Sequence, residues 1–158
     1  MFKTANLRKG RHSQPWAYYA VTINTENRTP FFTNLNINQN LANCLQQMVR
    51  DNTIHLIAFT IMPDHLHMIF QLGDKLTLSR VVRCFKGNCV ARLRTVLPQT
   101  KKIWQKGYYD RCIRDERELK TQARYVIANP LRKGLCEKVG DYPYWDCIYL
   151  NQVNKELL

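Results

Sequence analysis

Two apolar, β-branched segments, Ile54 to Met62 and His65 to Leu72, are separated only by Pro63 and Asp64. So short a connection leaves no room for a crossover, so the segments must return on each other as a tight antiparallel hairpin. The rest of the fold has to be built around that pair. The returning strand opens with His65-Leu66-His67. Side chains two apart on a strand project the same way, so both imidazoles aim at one point, while Leu66 and Ile69 tend toward the other face. A lone His-x-His pair on a strand is usually inert, and its surroundings decide whether it ligates. Two aligned imidazoles suit a divalent metal but cannot fill its coordination shell, so a third ligand has to come from elsewhere in the chain.

The 158 residues suit a single domain with a real core. Hydrophobic content of 45% and charged content of 23% are those of an ordinary globular protein. The charge balance is not ordinary: 24 Lys and Arg against 12 Asp and Glu leave +12, which implies a polyanionic partner, nucleic acid first. A membrane-surface protein of this charge wants an amphipathic helix with exposed large apolar residues, whereas the basic segments here read as faces of a packed domain. No apolar run reaches the roughly 18 residues of a membrane span, and the basic stretch from Met1 to Arg11 has no apolar run behind it. A cytosolic protein without membrane contact is expected. Cys44, Cys84, Cys89, Cys112, Cys136 and Cys147 show no Cys-x-x-Cys spacing, so they are expected to be buried thiols acting as small core residues.

Pro15 to Ile23 reads as a first strand, after a loose basic arm over residues 1–14, and a turn spans Asn24 to Pro30. Asn36 to Asp51 places Ile37, Leu41, Leu45 and Met48 at helical spacing with an Asn cap. Thr77 to Val96 sets Val81, Phe85, Cys89 and Leu93 four apart, with Arg80, Arg83, Lys86 and Arg94 off that stripe: a packed helix with a basic outer surface. Lys101 to Arg114 reads as a fourth strand bulged near Gly107, and Asp115 to Asn129 as a third helix stopped by Pro130. The order predicts an α+β, ferredoxin-like (RRM-like) antiparallel sheet with helices packed on it, β-α-β-β-α-β followed by a helix. No linker or repeat divides the chain, so residues 15–135 form the core and 136–158 a C-terminal extension.

On the third helix Leu119, Ala123, Val126 and Ile127 form the apolar side, and Glu118, Gln122, Tyr125 and Asn129 gather on another. A Tyr off the buried stripe is most often a rim residue with a wet hydroxyl. Asn129, four residues after Tyr125, is its same-face neighbour, and its amide oxygen could supply the missing metal ligand; Gln122 could do the same from one turn earlier.

Met62-Pro63-Asp64-His65-Leu66-His67 resembles the His-hydrophobic-His motif of the HUH single-strand DNA endonucleases. Trp104-Gln105-Lys106-Gly107-Tyr108-Tyr109-Asp110, Arg114-Asp115-Glu116, the run from Arg124 to Leu135 and Asp141-Tyr142-Pro143-Tyr144-Trp145 resemble blocks of the REP-associated tyrosine transposases. The resemblance implies that Tyr125 is the nucleophile, that His65 and His67 bind a divalent metal, Mg²⁺ or Mn²⁺, and that Asn129 or an amide near it completes the site. It further implies strand cleavage and rejoining through a 5′-phosphotyrosine bond, at short palindromic hairpins repeated in bacterial chromosomes, by a nucleoid-associated monomer or homodimer. The family commonly has Asn where this chain has Asp64.

The substrate is expected to be single-stranded or hairpin DNA. Arg80, Arg83, Lys86 and the arm residues Lys3, Arg8, Lys9 and Arg11 could follow phosphates, and Trp16, Tyr108 or Tyr109 could stack on bases. For Trp16 and Trp104 a place in the core is the stronger expectation. Two other readings stand beside this one: a non-catalytic single-strand-binding module on an RRM-like sheet, and a metal-dependent hydrolase using water, in which Tyr125 is dispensable.

Overall fold

The structure, a computed structural model, describes residues 13–149. Its elements are β1 (Tyr18–Asn24), α1 (Leu35–Arg50), β2 (Ile54–Met62), β3 (His65–Leu72), α2 (Leu78–Leu93), β4 (Tyr109–Ile113), α3 (Glu116–Ile127), the single turn α4 (Asn129–Arg132) and β5 (Trp145–Cys147). Every pairing is antiparallel, in the order β4-β1-β3-β2-β5. The β2–β3 hairpin closes across Pro63-Asp64 with Met62 opposite His65, and β3, flanked on both sides, is the central strand.

Each face of the sheet is covered. Leu66, Met68, Phe70 and Leu72 of β3 join Val21 and Ile23 of β1 beneath α1 and α2, forming the larger core. Ile69 belongs to the other core, with Ala58, Ile113 and the Leu119, Ala123 and Val126 stripe of α3. The expectation for Ile69 is therefore corrected: two residues beyond His67, it shares the histidines' face, as strict alternation along β3 requires.

Several boundaries move. The cap of α1 is Asn34, whose side chain accepts from the Ile37 amide at 3.0 Å. The fourth strand shrinks to Tyr109–Ile113 because Gly107 adopts a left-handed φ of 86°, and Trp104 makes only an isolated bridge to Thr25. α3 ends at Ile127, and the chain does not leave helical conformation at Pro130: Asn129 starts α4, where Pro in the first turn forgoes no bond. β5 was not foreseen. It pairs with β2 from Ala58 to Thr60, and beside it Tyr142 donates its hydroxyl to the Ile61 carbonyl at 2.5 Å.

Trp104 is buried against Phe32 and Phe85, but Trp16 is 52% exposed, held outside the core by its left-handed backbone. Cys44, Cys89 and Cys147 are buried as expected, whereas Cys84 and Cys112 are exposed and Cys136 is half-buried. Cys84 misses the α2 stripe by one position, and Cys112 lies on the open edge of β4. Of the basic arm, Lys3, Arg8, Lys9 and Arg11 lie outside the described residues, as does the tail beyond residue 149. The end of the arm is tied down: Ser13 accepts from the Leu78 amide and the Gln14 amide donates to the Tyr19 hydroxyl. Among the described residues no helix is long and apolar enough to cross a membrane.

Candidate active site

Sheet register brings the site together. His67 stands opposite Thr22 on β1 and Thr60 on β2, and His65 opposite Asn24 and Met62. The two Nε2 atoms face each other at 3.1 Å, and the rings meet at 89°. Behind them the Nδ1 atoms are both engaged: His67 with the Thr22 hydroxyl at 2.8 Å, His65 with the Asp64 carboxylate at 2.6 Å. The carboxylate accepts only, so it holds the proton on His65 Nδ1 and leaves the Nε2 lone pair toward its neighbour.

Burial is the main force on both imidazoles and disfavours their charged forms. His67 is pushed down to about 3 by desolvation, reinforced by His65, Arg132, Arg28 and Lys133. His65 is also lowered by burial, against the opposing pull of Asp64. Burial pushes the Asp64 carboxyl up, but the bond to His65 and the charges of His65 and Arg28 outweigh it and hold the group below its ordinary range. Arg28 ion-pairs with Asp64 at 2.9 Å, donates to Asn24 at 2.7 Å and approaches His65 Nδ1 at 3.5 Å. It reaches them because Asn27 and Arg28 both take left-handed backbone conformations, with φ of 53° and 57°, uncommon for residues other than glycine.

From the α3 side, the Asn129 amide nitrogen lies 2.8 Å from His67 Nε2. Tyr125 turns its ring edge-on to His67, centroids 6.5 Å apart, and is half exposed. Arg132 covers that ring at 3.5 Å from the centroid, a cation–π contact. Buried Thr60 donates to the Val126 carbonyl at 2.9 Å and so pins α3 to the sheet beside Tyr125. At its other end α3 begins on the Asp115 cap, and Glu118 binds Arg111 and the Arg114 amide.

The donors fit a divalent cation. Two neutral imidazole nitrogens at 3.1 Å match the spacing of adjacent ligands about 2.1 Å from one octahedral ion. Asn129 is buried with its amide nitrogen toward His67, and its carbonyl oxygen is an orphaned acceptor that meets no described partner. Among the described residues no trio of His, Cys, Asp or Glu is placed to hold a metal. Gln122 is half-buried and, among the described residues, bonds to neither histidine.

Of the residues singled out in the sequence, His65, His67, Tyr125 and Asn129 therefore converge. Arg80 and Arg83 are exposed on α2, on the opposite side of the sheet, and Lys86 donates to the carbonyls of Gln105 and Gly107 at 2.8 and 2.6 Å. Thr22, Arg28, Thr60 and Arg132 were not anticipated. Thr22 becomes legible only once β1 and β3 are registered, and Arg28 only from an unusual turn; Arg132, three residues after Asn129, carried a helical-spacing signal.

A REP-associated tyrosine transposase of Escherichia coli is 26% identical to this chain over 128 residues, covering 78% of this chain and 72% of the relative. A relative from Haemophilus influenzae is 26% identical over 136 residues, covering 80% and 77%. In structure the chain matches a REP-associated tyrosine transposase bound to a REP hairpin, with TM-score 0.72 and 23% identity over 85% of this chain and 79% of that one. A tRNA(His) guanylyltransferase from Saccharomyces cerevisiae also matches, with TM-score 0.52 and 15% identity over 82% and 65%, so the fold alone does not fix the chemistry. Residues 13–129 match the IS200-like transposase model, a span holding both histidines, the tyrosine and the amide that meet in space; the chain belongs to the IS200-like transposase family.

Proposed function

We propose that the chain is a metal-dependent single-strand DNA endonuclease and strand transferase that works beside short palindromic hairpins, with Tyr125 as nucleophile. The convergence of Tyr125 and Asn129, from the α3–α4 corner, on the two neutral imidazoles of β3 carries this reading. A structural relative bound to a REP hairpin supports hairpin DNA as the substrate class.

A phosphodiester repels nucleophiles by its charge and leaves a poor alkoxide, so the site must neutralise charge and align an attacker. His65, His67 and Asn129 would hold Mg²⁺ or Mn²⁺, which when bound polarises a non-bridging phosphate oxygen as a Lewis acid. Tyr125, exposed at the rim and held from behind by Arg132, can meet a phosphate arriving from solvent. Its oxygen forms a new bond to phosphorus as the bond to the 3′ oxygen breaks; the phenol loses its proton to solvent and the departing 3′ oxygen gains one. The product is a 5′-phosphotyrosine and a free 3′ hydroxyl. One ester replaces another, so the reverse attack by a second strand's 3′ hydroxyl needs no nucleotide cofactor.

The test is incubation with Mn²⁺ and a hairpin oligonucleotide carrying a labelled single-stranded flank, read on a denaturing gel. Wild type should give a covalent protein–DNA band that Tyr125→Phe lacks. Cleavage that survives in Tyr125→Phe would mean water is the nucleophile. Binding without cleavage by wild type would leave a nucleic-acid-binding module.

A further inference from the structure

The turn after β1 carries two consecutive left-handed residues, Asn27 and Arg28, beside the histidine pair. Such residues persist only where their surroundings over-determine them. Here they do. The hydroxyl of fully buried Thr25 reaches the carbonyls of Thr29 and Asp64, the Thr25 amide donates to Asp64 as well, and the Glu26 amide donates to the Ile103 carbonyl. What this fixed turn delivers to the flank of His65 is one side chain, the Arg28 guanidinium.

That guanidinium is only partly spent. Its Nε pairs with one oxygen of Asp64 at 2.9 Å, and its Nη1 donates to the Asn24 amide oxygen at 2.7 Å. Its Nη2 lies 3.5 Å from His65 Nδ1, but that nitrogen gives its proton to the other oxygen of Asp64 and cannot accept another. Among the described residues the Nη2 hydrogens therefore meet no acceptor, and the side chain is 48% exposed. A guanidinium edge of this kind suits a phosphate oxygen. The local charge is also out of balance: Arg28, Arg132 and Lys133 all act on His67, and Asp64 is the carboxylate that opposes them at His65. Surplus positive charge beside a strand-cutting site favours an anion there.

The site has a direction as well. Tyr125, Asn129 and Arg132 gather at His67, whereas Arg28 stands on the far side of His65, whose Nε2 faces that of His67. Displacement at phosphorus is in line, so an attacker entering from the His67 side sends the leaving 3′ oxygen toward the His65 side. The next charge along that departing strand is the phosphate one nucleotide 5′ of the cut.

We propose that Arg28 grips this phosphate and so keeps the strand with the freed 3′ hydroxyl in place for rejoining. The direction rests on Tyr125 being the nucleophile; the grip on a backbone phosphate does not.

The probe is a hairpin oligonucleotide with a labelled single-stranded flank, made as a series in which one flank linkage at a time is an uncharged methylphosphonate. Affinity is read by fluorescence anisotropy with EDTA present, and the cut position by covalent capture with Mn²⁺. In wild type, neutralising the linkage one nucleotide 5′ of the cut should weaken binding by about tenfold, the worth of one charge-assisted contact. Arg28→Gln has amide hydrogens to donate to Asp64 but no charge. It should bind the unmodified probe about tenfold more weakly, become indifferent to that linkage and keep the wild-type response at the others. Its slope of log affinity against log salt should fall by about 0.7, the value for one single-strand phosphate. Arg28→Lys, which keeps the charge without the fork, should recover the response in part. A purely structural Arg28 would lower affinity alike at every linkage in both variants, and that result overturns the proposal. So does loss of the response at a linkage 3′ of the cut. A wild type that shows the Arg28-dependent linkage and forms no covalent band upholds the grip while removing the proposed nucleophile.

Discussion

Asp64 sits between two demands at the residue scale. It pairs with Arg28 and fixes the proton of His65 on Nδ1, so the nitrogen facing His67 keeps its lone pair. Partners of this kind behind metal-binding histidines are typically worth tenfold to a hundredfold in metal affinity. Asp64→Ala should therefore weaken Mn²⁺ binding by about tenfold or more in calorimetric titration, while Asp64→Asn, whose amide oxygen still accepts from Nδ1, should lose much less. Thr22→Val, which removes the equivalent partner of His67, should resemble Asp64→Ala. The histidines, Tyr125 and Asn129 were legible in the sequence because each reading needs only a local period: two along a strand, four along a helix. Thr22 was not, because its role depends on which strand pairs with β3 and in what register. Arg28 was hidden for another reason: Asn27 is a residue that readily turns left-handed, but nothing in an arginine side chain signals that it will follow.

At the scale of elements, the site is a junction between a strand paired on both sides and a helix docked on it. The Thr60 hydroxyl bonded to the Val126 carbonyl crosses that junction one residue from Tyr125. Thr60→Val keeps the shape but leaves a buried carbonyl without its donor, at a cost of about 1–3 kcal/mol. The expected result is a lower midpoint in urea, with covalent capture of DNA reduced more than hairpin binding, because Tyr125 loses its register against His67. The β2–β3 hairpin was the most legible element because two connecting residues allow a single arrangement. β5 escaped because three residues, Trp145 to Cys147, have no period to read and take strand form from the edge they complete. The segment before β4 resembles a strand in composition but is not one: Trp104 serves the core, and Gly107 turns the backbone out of the sheet.

For the whole molecule, the sheet separates two cores of unequal size. The one beneath α1 and α2 contains most of the buried apolar residues, and the one beneath α3 is a short stripe. Opening free energy follows buried apolar contact, so native-state hydrogen exchange should show α3 amides exchanging through a cheaper opening than those of β3 and α1. Mn²⁺ should slow exchange in α3 selectively, since it would bridge Asn129 to the histidines of β3. Equal protection in both layers, with or without the ion, would contradict this division. The α+β class followed from the order of apolar periods; that helices cover both faces of the sheet followed only from seeing which residues of β3 each helix meets.

The two exposed thiols, Cys84 on α2 and Cys112 on the outer strand, have a practical consequence. Neither is shielded by packing, so in air-oxidised solution separate molecules can be stapled through sulfur. A preparation handled without reductant would counterfeit a dimer on sizing columns, whereas true self-association would survive dithiothreitol and the double replacement Cys84→Ser/Cys112→Ser.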